Sequence, residues 1–279
     1  VKKRVTIVIP CYNQGAFLQD ALDSIAACNE KLFDLIIVND GSTDKETNEI
    51  LIRLSEQGYH VIFQENKGLG GARNAGILAS ETEYILPLDA DNKLLPSYVE
   101  KGVKVLEDHP EVSVVYGNAK LFGDKQGELI PGPFNLQRLM LGNYIDACAL
   151  VRKSALEKAG LYDRMKIMGY EDWDLWLRIA FSGGQFHYIN ETLFEYRVRH
   201  DSMMKGVNAN VQKQNEIETH ILNKYADKLD FDYPLNRFLY QFKKKPFTIL
   251  KALFYRKFFP KVYHRKVKEG SVRRFYIYD

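Results

Sequence analysis

Four short apolar runs, separated by helix-length stretches, constrain this chain more than any other feature. They are Val5-Thr6-Ile7-Val8-Ile9, Phe33-Asp34-Leu35-Ile36-Ile37-Val38, His60-Val61-Ile62-Phe63 and Tyr84-Ile85-Leu86-Pro87-Leu88. Little polar alternation interrupts them, which is the pattern of strands covered on both faces. The stretches between read as helices over about Ala16 to Ala27, from Thr43 to about Glu56, and from about Gly70 to Ala79. Thr43 and Glu46 have the spacing of a capping box for the second helix, and Gly58 closes it. Repeated strand–helix–strand units of this length give a parallel sheet flanked by helices.

Sheets of this kind bind ligands outside the carboxyl ends of their strands. Polar clusters fall at three such ends: Pro10-Cys11-Tyr12-Asn13, Asn39-Asp40-Gly41-Ser42 and Asp89-Ala90-Asp91. Two carboxylates one residue apart supply hard oxygen ligands for a divalent cation that also takes phosphate oxygens. Aspartate is also a common turn residue, so the third cluster alone has two readings. Gly68-Leu69-Gly70-Gly71-Ala72-Arg73 matches neither the dinucleotide fingerprint nor a Walker loop. It reads either as a tight turn with close helix packing or as a helix start carrying Arg73 toward a diphosphate.

Further motifs follow in order: Asn66-Lys67-Gly68, Ala72-Arg73-Asn74 and Gly169-Tyr170-Glu171-Asp172-Trp173-Asp174-Leu175-Trp176. From the first strand to about His200, their order and spacing resemble the family 2 glycosyltransferases of bacterial surface-polysaccharide type. The resemblance implies the α/β GT-A fold, a nucleotide-diphospho-sugar transferase fold with a mostly parallel central sheet. It implies donor-nucleotide contacts at Pro10, Tyr12, Asn13, Asp40, Lys67, Arg73 and Asp89, with Asp40 accepting from the base N–H. Asp91 and Asp89 would hold Mn²⁺ or Mg²⁺, with His200 as an extra ligand or a residue beside the diphosphate. Asp172 would be the general base of an inverting transfer, deprotonating the acceptor hydroxyl as it attacks. Glu171 and Trp173 are acceptor-side candidates. The competing reading is a helix whose stripe of Trp173, Trp176, Leu177 and Ala180 packs inward, with Glu171 and Asp172 favouring its N-terminus. Asn143-Tyr144-Ile145-Asp146-Ala147 reads as a sheet-edge turn or as a source of hydroxyl-binding groups.

Charge is divided unevenly along the chain. From Leu235 to Asp279 there are 13 Lys/Arg and 12 aromatics against 2 Asp/Glu, a local charge of +11, whereas the rest carries −8. Pro246 can open a helix on which Phe247, Leu250, Leu253, Phe254 and Phe258 recur at helical spacing. A basic helix with bulky apolar residues suits an anionic membrane surface, or packs its apolar face on the body. The acidic body makes nucleic acid an unexpected partner. Cys11, Cys28 and Cys148 lack metal-type spacing, and no secretory signal opens the chain, so a reducing cytosol is expected.

These readings lead to a transferase domain over 1–228 and a basic, aromatic extension over 229–279. The expected activity is transfer of a hexose or deoxyhexose from a UDP- or dTDP-sugar to a glycan or lipid-linked saccharide. The expected place is the cytoplasm, peripheral on the cytoplasmic face of the membrane. The alternative is a non-catalytic sugar-nucleotide or glycan-binding module of the same fold.

Overall fold

The first apolar run forms the strand β1 (Val5–Cys11), and every residue in it is buried. Our computed structural model describes residues 3–163, 169–200, 211–228, 233–244 and 246–269. Parallel neighbours flank β1: β2 (Phe33–Asp40) on one side and β4 (Tyr84–Pro87) on the other, with β3 (His60–Gln64) beyond β2. Helices α1 (Gly15–Ala26), α2 (Lys45–Glu56) and α3 (Gly68–Ala79) make the crossovers. This half matches the sequence reading closely, because a buried parallel strand has no solvent face to blur its apolar signal.

One cap differs. The N-cap of α2 is Asp44, whose carboxylate accepts from the Thr47 N–H at 2.8 Å, so Thr43 and Glu46 do not form the expected box. Thr43 is engaged elsewhere: its N–H donates to Asn13 Oδ1 at 2.8 Å, and its hydroxyl accepts from Asn13 Nδ2 at 3.0 Å.

Beyond β4 the sheet becomes mixed. β5 (Lys93–Leu94) precedes α4 (Ser97–Asp108), β6 (Val112–Gly123), β7 (Gly127–Leu129) and α5 (Leu136–Leu141). β8 (Leu150–Arg152), α6 (Lys153–Lys158), α7 (Glu171–Phe181) and β9 (Gln185–Val198) follow. The nine-stranded order is β3-β2-β1-β4-β8-β6-β9-β5, with β7 on β6. β8 runs antiparallel to both β4 and β6, while β6 and β9 are parallel. The core joins both halves through Ile7, Ile9, Leu86, Leu88, Val115, Leu150 and Phe194. Truncating one of these, such as Ile7→Ala, costs about 2–5 kcal/mol. Helix α3 lies hard against β1: a Cβ on Gly76 would meet Val8 Cγ1 at 2.3 Å. That approach seats the second half of α3 directly on β1.

The chain forms two compact units, Val1–Arg199 and His200–Asp279. The division falls where β9 ends, earlier than the change in composition at Leu235. In the second unit, helices span Val211–Lys224, Tyr233–Lys244, Pro246–Phe258 and Pro260–Lys268. Its small core is Ile249, Ala252 and Tyr263, with Phe238, Leu253, Tyr255 and Val267 packed around them. The predicted helix from Pro246 is present. Residues 229–232, Lys245 and residues 270–279 of the basic extension lie outside the described residues. Among the described residues no helix is long and apolar enough to cross a membrane.

Candidate active site

The strand ends are first tied to each other. Asn13 has φ +54°, a left-handed conformation that asparagine tolerates better than most residues. It links two loops: its N–H donates to Ser42 Oγ at 3.1 Å, and its Oδ1 also accepts from the Asp44 N–H at 2.9 Å. Asn13 thus braces the two loops against each other. Tyr12, beside it, is 45% exposed, and Pro10 is buried inside β1. Asp40 is buried at the end of β2, where Oδ1 accepts from Gln64 Nε2 at 2.6 Å and from the Lys67 N–H at 2.8 Å. Gly41 then turns with φ +67°, where an added Cβ would meet the Asn66 nitrogen at 2.7 Å. The Lys67 side chain is exposed.

Past β4 the character changes. Arg73, read from sequence as a diphosphate neighbour, is 2% exposed and donates from Nη2 to Asp89 Oδ1 at 2.7 Å. Its guanidinium is thus buried against Asp89. Asp91 faces Arg199, with Nε 3.6 Å from Oδ2. Arg197 fixes the turn: its N–H donates to Asn92 Oδ1 at 2.9 Å and its Nε–H to the Asp91 carbonyl at 3.0 Å. It also pairs with Asp20 and lies over the rings of Phe17 and Phe122. Arg197 is therefore a structural clamp, and Arg199 is the cation that faces the carboxylate pair. His200 opens the second unit, so its standing as a ligand rests on the sequence.

Asp172 lies in the first turn of α7 and is partly exposed, while Glu171, Trp173 and Asp174 on either side are buried. Asp172 Oδ1 accepts from the Trp173 N–H at 2.9 Å, and Oδ2 accepts from Asn143 Nδ2 at 2.8 Å. The Trp173 indole is buried and donates to the Leu139 carbonyl at 2.6 Å, as the inward-stripe reading expects. Glu171 is also interior, with Oε2 accepting from the Gly169 N–H at 2.8 Å. Helical periodicity explains both, since the inward stripe takes Trp173 with it and leaves Asp172 at the rim.

Two residues of the Asn143–Ala147 stretch, which the sequence reads as a sheet-edge turn or as a source of hydroxyl-binding groups, stand beside these carboxylates. They are Asn143, bonded to Asp172, and Asp146, which accepts from the Cys148 N–H at 2.8 Å. Asp146 interacts electrostatically with Asp89, Asp91 and Arg73. Only the spacing of polar residues ahead of a strand hinted at them.

Burial, and then the neighbouring charge of Asp89, push the Asp91 carboxyl up to about 6. The same two causes push Asp146 to about 6. Burial pushes Asp172 to about 7, opposed by Arg73 and reinforced by Asp146 and Glu171. Three polar atoms here are buried without a hydrogen-bond partner among the described residues: Arg73 Nε, Tyr162 Oη and Glu171 Oε1. Asp89, Asp91, Asp146, Glu171 and Asp172 thus outnumber the nearby Arg73 and Arg199. A divalent cation would relieve that excess. No three His, Cys, Asp or Glu side chains among the described residues form a metal cage. Two carboxylates do suit an ion whose remaining ligands are substrate phosphates and water.

Comparison with known proteins bears on family and fold. The model of the family described as "Glycosyl transferase family 2" matches residues 6–160. Glycosyltransferase GlyA of Streptococcus pneumoniae serotype 4 is 26% identical over 264 residues, 86% of this chain and 36% of the relative. An uncharacterized glycosyltransferase of Rickettsia prowazekii is 30% identical over 207 residues, 70% of this chain and 64% of the relative. The chain spans less than two-thirds of the length of either relative. Among solved structures, Staphylococcus aureus TarS 1-349 in complex with UDP-GlcNAc has a TM-score of 0.67 at 16% identity, covering 91% of this chain and 73% of that one. The mannosyltransferase PcManGT of Pyrobaculum calidifontis, in complex with GDP-Man and Mn²⁺, has a TM-score of 0.61 at 15% identity, covering 97% and 85%. These likenesses show a shared fold, the GT-A arrangement.

Proposed function

Because the chain belongs to the family 2 glycosyltransferases, we propose that it is an inverting, metal-dependent transferase using a UDP- or dTDP-sugar. The observation that carries the reading is Asp172, a partly exposed carboxylate pushed up to about 7 that interacts with the same Arg73 that bonds Asp89. A base poised near neutrality can take a proton and release it again at working pH.

Each role follows from position. Asp40 has one oxygen engaged by Gln64 and Lys67, which leaves the other to accept from the N–H of uracil or thymine. Tyr12 offers its exposed ring to the base. Arg73 holds Asp89 in place near Asp91. Asp89 and Asp91 would hold Mn²⁺ or Mg²⁺. When bound, such an ion neutralises charge on the departing diphosphate. The acceptor oxygen attacks the anomeric carbon, the bond to the diphosphate oxygen breaks with its electron pair, and the acceptor proton passes to Asp172. Acceptors in this reading are glycans or lipid-linked saccharides of a cell-surface polysaccharide.

Thermal shift with UDP, dTDP, GDP and CMP, each with and without Mn²⁺, tests the donor side. Manganese-dependent stabilisation by UDP or dTDP alone is expected, and Asp91→Asn should abolish the manganese dependence. GDP as the sole stabiliser would overturn the donor assignment. Binding without turnover of any donor would favour a sugar-nucleotide-binding module.

The extension also has a place in this reading. Its helix Pro246–Phe258 buries Ile249 and Ala252, yet Phe247, Leu250, Phe254 and Phe258 are 50–85% exposed on another face. Lys251, Lys257 and Lys261 are exposed alongside. Apolar side chains amid cations fit an anionic bilayer, with about 1 kcal/mol per basic residue near its surface. Flotation with phosphatidylglycerol liposomes should recover the full chain. A Phe247→Ser, Phe254→Ser, Phe258→Ser variant should stay in the soluble fraction, and equal recovery would sink the membrane assignment.

A further inference from the structure

We infer that Asn143 is a positioning residue for Asp172: its side-chain amide sets the orientation and proton affinity of the carboxylate at the rim of the site. The inference rests on the reading of Asp172 as the base.

The hydrogen bond from Asn143 Nδ2 to Asp172 Oδ2 is 2.8 Å long. The amide cannot turn around without loss, because Asn143 Oδ1 accepts from the Ile145 N–H at 3.3 Å. That bond leaves the NH₂ end facing Asp172. Two indoles hold the segment carrying Asn143 against α7. Trp173 Nε1 donates to the Leu139 carbonyl at 2.6 Å, and Trp176 Nε1 to the Ile145 carbonyl at 3.1 Å. Both rings are buried, and so are Leu139 and Ile145. Three side chains within one and a half turns of α7 therefore bond to a stretch of seven residues. The outer two bonds are structural, and the middle one ends on the candidate base.

Its consequence is chemical. Asp172 Oδ1 is tethered to its own helix by the Trp173 N–H, which alone leaves the carboxyl plane free to swing. A second donor on Oδ2 fixes the plane, so the remaining lone pairs point in set directions toward an acceptor hydroxyl. A donor to the charged form also favours that form, against the burial and the carboxylate neighbours that oppose it. Asn143 therefore keeps Asp172 able to shed its proton near neutral pH. An aspartate at the same place would retain the bond from Ile145 and reverse the effect on Asp172.

The test follows the Asp172 carboxyl directly, in full-length protein carrying ¹³C-labelled aspartate. Its resonance is identified by its loss in Asp172→Asn, and its titration is compared with those of Asn143→Leu and Asn143→Asp. Asn143→Leu should raise the midpoint by about one pH unit or more. Asn143→Asp should split the titration into two coupled steps, the upper one above the wild-type midpoint. Melting temperatures and UDP binding report any general disturbance of the fold, which by itself would not move a single carboxyl in this direction. A midpoint unchanged in both variants would overturn the inference. Unimpaired sugar transfer by Asp172→Asn would instead remove the base assignment, and the catalytic meaning of Asn143 with it, while leaving the titration result in place.

Discussion

The loops after β1 and β2 and the carboxylates around Asp91 and Asp172 lie at one end of the same sheet, yet they are built on opposite terms. On the nucleotide side, polar groups satisfy one another. Asn13 joins two loops through four hydrogen bonds, and Asn39 and Asn48 pair at 2.9 Å. Asp44 caps α2 and is held below the usual carboxylate range by the hydroxyl and N–H of Thr47. On the other side Asp91, Asp146 and Asp172 are all pushed up, and three buried polar atoms lack partners among the described residues. The first region is a frame completed by its own bonds. The second holds more negative charge than its arginines balance, so a bound cation and diphosphate sugar would complete it. Strain of this kind gathers where ligands bind, and stability is lost to retain it.

Helix α7 offers the strongest way to break that contrast, because it carries both kinds of carboxylate. Asp172 is at the rim, whereas Asp174 is fully buried and accepts from Arg178 Nε at 2.9 Å. Asp172→Asn should lower turnover about 10²–10⁴-fold while leaving the melting temperature nearly unchanged. Asp174→Asn should do the reverse, destabilising by about 3–5 kcal/mol through the uncompensated arginine. Steady-state kinetics and thermal melts on the two variants decide it: equal effects on both quantities would erase the distinction between frame and site. A smaller effect is expected within the frame. Asn13→Ala removes its loop-to-loop side-chain bonds and places alanine at φ +54°, a loss of about 2–3 kcal/mol. Asn13→Gly should recover only the backbone part. If Asn13→Ala melts like the wild type but no longer binds UDP, its amide contacts the nucleotide after all.

How much of this was legible in the residues follows the same line. The parallel half announced itself because Val5–Ile9 and Tyr84–Leu88 are almost wholly apolar, and polar clusters at three strand ends read together as one crevice better than as unrelated turns. Asp40, Asp89, Asp91 and Asp172 were selected by their order along the chain. What the side chains do with each other was not legible. Nothing local says that Asn13 bonds to Thr43, which lies 30 residues away, or that Arg73 turns inward to Asp89. The Asn143–Ala147 stretch carries no periodicity, and it meets α7 because the preceding α5 packs on α7. Trp173 had two readings, acceptor-side residue or member of the inward stripe, and its helical phase and the indole bond to Leu139 fit the second.

The gentlest test of the contrast uses Asp146, where removing a charge should help the empty protein. Its carboxyl titrates at about 6 in the fold, above the ordinary carboxylate value. Between about pH 4 and pH 6 the folded state therefore binds more protons than the unfolded one. The stability linked to that proton is present in full below the unfolded pKa and is lost as pH rises through 6. At pH 8 Asp146 is charged among Asp89 and Asp91, and it weighs against folding. Asp146→Asn keeps an acceptor for the Cys148 N–H and removes the charge. Its melting temperature should exceed that of the wild type by about 2–4 °C at pH 8, with the gap closing toward pH 5. Adding Mn²⁺ with UDP should then stabilise the wild type more than the variant, because the charge that burdens the empty site attracts the cation in the filled one. A variant that melts below the wild type at pH 8 would mean that Arg73 and Arg199 already balance the cluster, and the two sides of the sheet would be alike.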